Sequence, residues 1–344
     1  SPRWLKALAG HFAEPDVAVV QSPQAHRAWA GKPLHRIMNW EYEGFFRIGM
    51  HHRHERNAII QHGTMTMIRR SVMDSLRWGD WTITEDAELG LRVFGAGGSA
   101  AYVPESFGRG VMPDRFIDYK KQRFRWAFGA MQIMRQHAGR LFMGRGGGLT
   151  RGQRYHFLAG WLPWCADGLN LFFTMGALFW TAAMLIVPTQ ALPPDIVFAL
   201  PPIVLFLGKL TKILYVYKRH MRIPMPTSVG AAVAGLSLSH TIGKAVVYGL
   251  VTRSIPFFRT PKLTGHGGLV QAIAEAREEL YILLLLWGAA AGMVFTHHFD
   301  TPDAWAWLIM LLLQSVSYLA AVLMSWLAVL PAVREPFVPV PQAG

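Results

Sequence analysis

The chain has 344 residues, of which 52% are hydrophobic and 16% charged, well below the roughly one-quarter charged residues usual in soluble domains; the apolar excess sits almost wholly after residue 160. A net charge of +13 points to nucleic acid, anionic lipid or a phosphate-bearing substrate, and with neither zinc-finger spacing nor an RNA-binding signature the chain does not read as a nucleic-acid binder. The single cysteine, Cys165, excludes an internal disulfide and a multi-cysteine metal site.

Residues 1–143 read as α/β. The chain opens at Ser1-Pro2-Arg3-Trp4 with no Met and no signal peptide, and so reads as a piece of a longer protein. Val17-Ala18-Val19-Val20, between Pro15 and Pro23, suits a buried strand. Thr64 to Ile68 alternates after Gly63 and forms a second strand, and Ala100 to Val103 a third. Trp81-Thr82-Ile83 is strand-like. Glu85 to Phe94 reads as a helix with Leu89, Val93 and Phe94 on one face, ended by Gly95-Ala96-Gly97-Gly98. Strand, helix, strand predicts a parallel, doubly wound sheet.

Residues 115–138 form a basic, aromatic-rich helical pattern that suits a membrane surface. Residues 144–160, opening with Gly144-Arg145-Gly146-Gly147-Gly148, read as a linker. Residues 161–335 then read as a transmembrane domain, with spans over 168–187, 196–217, 280–296 and 304–333. Lys209 and Lys212 are placed to snorkel toward Lys218, Arg219 and Arg222, whose side is cytoplasmic by the positive-inside rule. Residues 229–251 are apolar but carry His240 and Lys244. Basic segments flank them on both sides, so parity predicts an interfacial or re-entrant helix, followed by a basic loop over 252–268.

Two motifs carry chemistry. Thr84-Glu85-Asp86 opens the helix at 85; alone, acidic residues there serve the helix dipole, and Thr82 with Glu85 could form a capping box. Gln122-Arg123-Phe124-Arg125-Trp126 alone is a basic helix face. Together, in this order and ahead of membrane spans, they resemble the family-2 processive glycosyltransferases, the group of cellulose, hyaluronan and related β-glucan synthases. Val20-Gln21-Ser22-Pro23 and His62-Gly63-Thr64 agree, as does Phe257-Phe258-Arg259-Thr260-Pro261-Lys262, which resembles a gating loop despite Arg259 and Leu263 standing where the pattern has Val and Gly.

The resemblance implies part of a cytoplasmic, GT-A-type α/β domain followed by an all-α transmembrane domain, in the inner membrane of a bacterium. It implies inverting transfer of a hexose, most often glucose, from a UDP-sugar to a growing β-linked polysaccharide. Asp86 is then the base that takes the acceptor hydroxyl proton, with Glu85 beside it. Gln122, Arg125, Trp126, His62, Gly63 and Thr64 bind the substrates, and Arg123, Thr260 and Lys262 meet the diphosphate. Trp161, Trp164, Phe172 and Phe173 are candidates to line a polysaccharide channel. The family holds Mg²⁺ or Mn²⁺ with an Asp-x-Asp, which this sequence lacks; the expectation is that the metal ligands lie upstream and that these residues alone are inactive. The partners implied are the nucleotide sugar, a polysaccharide or glycolipid acceptor and the bilayer. Two other readings stay open: a non-processive transferase acting on a lipid or periplasmic glucan, and a channel or transporter with a cytoplasmic domain.

Overall fold

The computed structural model describes residues 1–252, 268–296 and 299–331. In chain order its elements are α1 (Trp4–Ala9), β1 (Val17–Gln21), β2 (Ala25–His26), α2 (Pro33–Gly44), a π-helical turn Phe45–Met50, α3 (His51–His54), β3 (Thr66–Ile68), α4 (Arg70–Leu76), α5 (Glu85–Gly95), β4 (Ser99–Tyr102), β5 (Arg109–Gly110), α6 (Phe116–Gln136), α7 (Ala138–Phe142), α8 (Arg151–Ile186), α9 (Ile196–Val216), α10 (Met225–Ser237), α11 (Ser239–Val251), α12 (Leu269–Glu275), α13 (Arg277–Thr296) and α14 (Pro302–Leu327).

The β-branched run of β1 is buried at the centre of a three-stranded sheet ordered β3-β1-β4. β1 pairs parallel with β4, as strand–helix–strand patterning predicts. β3 instead runs antiparallel to β1, with Val19 opposite Ile68, so the sheet is mixed. The strand-like Trp81-Thr82-Ile83 joins no sheet and leads as a turn into α5. Leu89, Val93 and Phe94 of α5 are all buried, as one apolar face requires.

The helix at 85 is not capped as expected. Its N-cap is Thr84, which makes no side-chain cap. Thr82 is spent elsewhere: its hydroxyl accepts from the Thr84 N–H at 3.3 Å and donates to Gln132 Oε1 of α6 at 3.1 Å.

The segment expected as a linker is helical from Arg151 onward. Thr150 Oγ1 accepts from the Gln153 N–H and Gln153 Oε1 from the Thr150 N–H, a capping box that starts α8 ten residues early. The turn before it needs glycine: Gly148 has φ +83°, and a Cβ there would lie 2.1 Å from the Gly95 carbonyl oxygen.

Among the described residues four helical stretches, Arg151–Ile186, Ile196–Met221, Arg277–Thr296 and Pro302–Leu327, are long and apolar enough to cross a membrane. The 225–251 segment is broken at Leu238 into α10 and α11. Thirteen residues reach only about 20 Å at 1.5 Å per residue, short of the ~30 Å hydrocarbon core. α11 packs between α6 and α8, and a glycine stands at each contact. A Cβ on Gly249 would meet Met131 Cβ at 2.7 Å, and one on Gly243 the Asp167 carbonyl oxygen at 2.7 Å.

Helix α6 is held by these contacts. Thirteen of its 21 residues are buried, enclosed by elements of both halves of the chain. Its first turn is tied to the α12–α13 junction: Arg115 Nε donates to Glu275 at 2.6 Å, and Lys120 Nζ to Glu279 at 2.7 Å. Lys209 does not run outward from α9; it pairs with Asp167 of α8 at 2.5 Å and donates to Ser239 Oγ at 3.0 Å. A charge at that depth gains more from a partner than from a long reach to water.

Candidate functional site

The turn at Thr84-Glu85-Asp86 sits on α6. The two come close at Gly129, seven residues after Gln122: a Cβ there would lie 2.2 Å from Thr84 Oγ1 and 2.8 Å from Thr84 Cβ. Absence of a side chain at 129 lets the two motif segments meet. Between them opens a cavity of about 360 Å³, lined by Glu85, Asp86, Arg123, Arg125, Trp126 and His62, with Trp161 and Trp164 of α8 on another wall.

Asp86 is partly buried on this wall. Burial pushes its carboxyl up to about 6, while the Ala87 and Gly63 backbone N–H groups pull the other way and Glu85 adds a small upward push. The Ala87 N–H donates to Asp86 Oδ1 at 2.8 Å, and a Cβ on Gly63 would lie 3.3 Å from Oδ2. Glu85 is exposed. A carboxylate fixed at a helix start and poised near neutrality suits general-base work.

His62-Gly63-Thr64 is held by Gln21, at the end of β1 and fully buried. Gln21 Nε2 donates to His62 Nδ1 at 2.7 Å and to the His62 carbonyl at 2.9 Å, and Gln21 Oε1 accepts from the His62 N–H. An amide nitrogen only donates, so His62 Nδ1 accepts and the ring proton sits on Nε2. Nε2 is buried and has no hydrogen-bond partner among the described residues. Burial pushes the imidazole down to about 4, so the ring is neutral at physiological pH. His62 thus offers one N–H donor at the cavity wall. Gly63 and Thr64 are exposed and do not line the cavity, Thr64 Oγ1 reaching Gln24 Oε1, on its wall, at 3.5 Å.

The α6 motif divides its work. Gln122 Oε1 accepts from the Tyr42 hydroxyl. The Arg123 guanidinium, although it borders the cavity, is committed to the protein. It donates to Glu41, and its carbon lies 4.4 Å from the Tyr42 ring centroid, 5.1 Å from Tyr119 and 4.5 Å from Trp126. Tyr119 OH also donates to Glu41 Oε2, at 3.0 Å. Burial disfavours this cation, yet Glu41 with the two tyrosines holds it charged. Arg125, the other arginine of the motif, is a half-buried guanidinium whose charge Glu85 supports against burial. Trp126 keeps its place through Arg123 and an edge contact to Tyr42 at 6.0 Å.

Glu41 was not legible as a site residue. It lies 82 positions from Arg123, in a helix whose pattern shows only an apolar and a polar face. Glu41→Gln strands the Arg123 cation in an apolar cage and is expected to cost about 3 kcal/mol of stability, read as a lower unfolding temperature of the purified protein; Glu41→Gln with Arg123→Met is expected to recover most of it.

Of the channel candidates, Trp161 and Trp164 line the cavity, whereas Phe172 is 73% exposed on α8, where a lipid-facing residue would be. Thr260 and Lys262 lie outside the described residues, as does the loop over 253–267. Among the described residues no group of three or more His, Cys, Asp or Glu side chains could hold a metal ion. The described residues therefore do not form a site for the divalent cation that the resemblance implies.

Residues 1–208 match the profile of glycosyl transferase family group 2. The chain is similar to the UDP-forming catalytic subunit of cellulose synthase 1 from Komagataeibacter xylinus, 29% identical over 154 residues, which is 43% of this chain and 20% of that protein. It is similar to cellulose synthase 1 of Novacetimonas hansenii, 30% identical over 164 residues, 45% of this chain and 10% of that protein. The matched stretch thus spans a tenth to a fifth of the length of these relatives.

Proposed function

The chain belongs to glycosyl transferase family group 2, and from that premise we propose that it carries the acceptor half of an inverting, processive glycosyltransferase that extends a β-linked polysaccharide from a UDP-sugar. One observation carries the reading: Asp86 and Trp126, from motifs 40 residues apart, face one cavity whose further wall is the first apolar membrane-length helix. Multi-pass membrane embedding follows from four such helices. The basic run Lys218, Arg219 and Arg222 favours a cytoplasmic position for the catalytic face.

In the proposed reaction the acceptor sugar stacks on Trp126. Its attacking hydroxyl gives its proton to Asp86 while the oxygen forms a bond to the anomeric carbon. The bond from that carbon to the diphosphate oxygen breaks, and the electron pair leaves with the nucleoside diphosphate. Attack opposite the leaving group inverts the anomeric centre. Arg125 faces the charge that grows on the diphosphate, joined in this proposal by Thr260 and Lys262. His62 Nε2–H and Gln122 orient ring oxygens of the sugars. Arg123, held by Glu41, keeps the Trp126 platform in place.

The test is kinetic. In the intact enzyme in membranes, Trp126→Ala is expected to raise the acceptor KM about tenfold or more, the loss of one stacking contact, with the KM for the UDP-sugar unchanged and product chains shortened. An unchanged acceptor KM would remove Trp126 from the acceptor site.

A further inference from the structure

Two polar side chains on this cavity have no part in the transfer chemistry. Gln61 is 2% exposed and lines the cavity, yet neither its amide oxygen nor its amide nitrogen has a hydrogen-bond partner among the described residues. Native structures rarely leave a buried amide unmet, and a ligand in the cavity would meet it. Arg53 lines the same cavity with its Nε buried and equally without a partner.

The protein makes room for the Arg53 head. A Cβ on Gly49 would lie 2.7 Å from Nη1, and one on Gly160 of α8 would lie 2.9 Å from Nη2, so two glycines flank the guanidinium. The Phe45 ring centroid is 5.9 Å from its carbon. Among the described residues no carboxylate pairs with it, and burial alone pulls it down to about 10. Arg53, Arg56 and His52 each act to lower the His156 imidazole of α8, with Glu55 acting the other way, so Arg53 keeps its cationic influence on this wall. A guanidinium fork in an apolar seat, beside an unmet amide, binds an oxyanion in a defined geometry.

We propose that Arg53 and Gln61 form an oxyanion subsite for the acceptor, taking a carboxylate or phosphate group carried by the acceptor while its attacking hydroxyl faces Asp86. The proposal rests on reading this cavity as the acceptor site. It narrows the substrate class from neutral glycans to acceptors with an anionic group, either an acidic sugar or a phosphate-linked end.

Direct binding tests it without turnover, so failure here leaves the role of Asp86 untouched. The intact enzyme in nanodiscs of neutral lipid is titrated with a neutral cello-oligosaccharide, the same oligosaccharide ending in glucuronate, and the same ending in glycerol phosphate. At least one charged probe is expected to bind about tenfold tighter than the neutral one, and the tighter of the two identifies the source. The advantage is expected to shrink with added salt and to fall within about twofold in Arg53→Met, with UDP affinity unchanged. Gln61→Leu, which replaces the unmet amide by an apolar group, is expected to weaken the charged probe while leaving the fold stable. Equal affinity for all three probes in the unmodified enzyme would overturn the proposal, and needs no variant to fold. So would a charge preference that survives Arg53→Met, or a loss of UDP binding in that variant, which would assign Arg53 to the donor.

Discussion

Asp86→Asn is expected to lower the transfer rate of the intact enzyme by about 10³-fold, within the range usual for loss of a general base, while binding of the UDP-sugar persists. Asn keeps the shape of the side chain and the hydrogen bond from Ala87 but cannot take a proton. The same change is expected to stabilise the protein. Burial raises the Asp86 carboxyl from 3.8 to about 6, so the folded state holds that proton more tightly than the unfolded state. The stability this gives is fully present below pH 4 and is lost as pH rises from about 4 to about 6. Above that, the buried charge costs roughly 2–3 kcal/mol, since a tenfold change in proton affinity is worth about 1.4 kcal/mol. An inactive variant with a raised unfolding temperature at pH 8 is the expected result. It separates a residue kept for chemistry from one kept for packing, whose loss would lower stability and activity together.

Gly129→Ala is expected to lower the rate by about 10²-fold, the cost of misplacing a catalytic group by an ångström or so. The added methyl would lie 2.2 Å from Thr84 Oγ1, 2.5 Å from Cγ2 and 2.8 Å from Cβ. Rotating a β-branched side chain removes only part of such a clash, because Thr84 Cβ moves with its backbone. Either α6 retreats or the turn bearing Asp86 shifts, and the distance from the base to Trp126 changes. Gly129→Ala with Thr84→Ala removes two of the three close atoms and is expected to recover part of the loss, a coupling that distant sites do not show. Donor affinity, read by UDP titration, is expected to change little. A Gly129→Ala enzyme with full activity would mean that the two motifs do not need this contact.

The parts of this architecture legible in sequence are those set by neighbours along the chain. The apolar run at Val17–Gln21, the helix opening at Glu85 and the helix bearing Gln122 to Trp126 follow from short-range periodicity and end signals. The pairing of the two motifs came from resemblance rather than from periodicity. What was not legible depends on partners far along the chain. Nothing local tells β3 to run antiparallel to β1, since strand direction depends on how the intervening helices return the chain. Thr82 looked like a capping residue because its distant partner, Gln132 on α6, is invisible to a four-residue window. Lys209 looked like a snorkelling lysine because Asp167, its partner, sits on another helix. Glu41, Gln61 and Arg53 carry no motif at all; their roles come from burial and from which atoms meet, or fail to meet, a partner. The glycines at 129, 243 and 249 gave no conformational signal, because what they provide is space for another helix rather than a turn.

The central claim is that Asp86 accepts the proton of the acceptor hydroxyl in a cavity closed by α6. It is tested most directly by the pH dependence of kcat/KM for the acceptor, measured on the intact membrane enzyme at saturating UDP-sugar. Transfer is expected to rise with pH, bend near 6 and level off above 7, as the buried carboxyl gives up its proton, and the residual rate of Asp86→Asn is expected to show no bend there. A rate that stays flat from pH 5 to 7 in the unmodified enzyme, or an Asp86→Asn variant that keeps both the rate and the bend, would contradict the account.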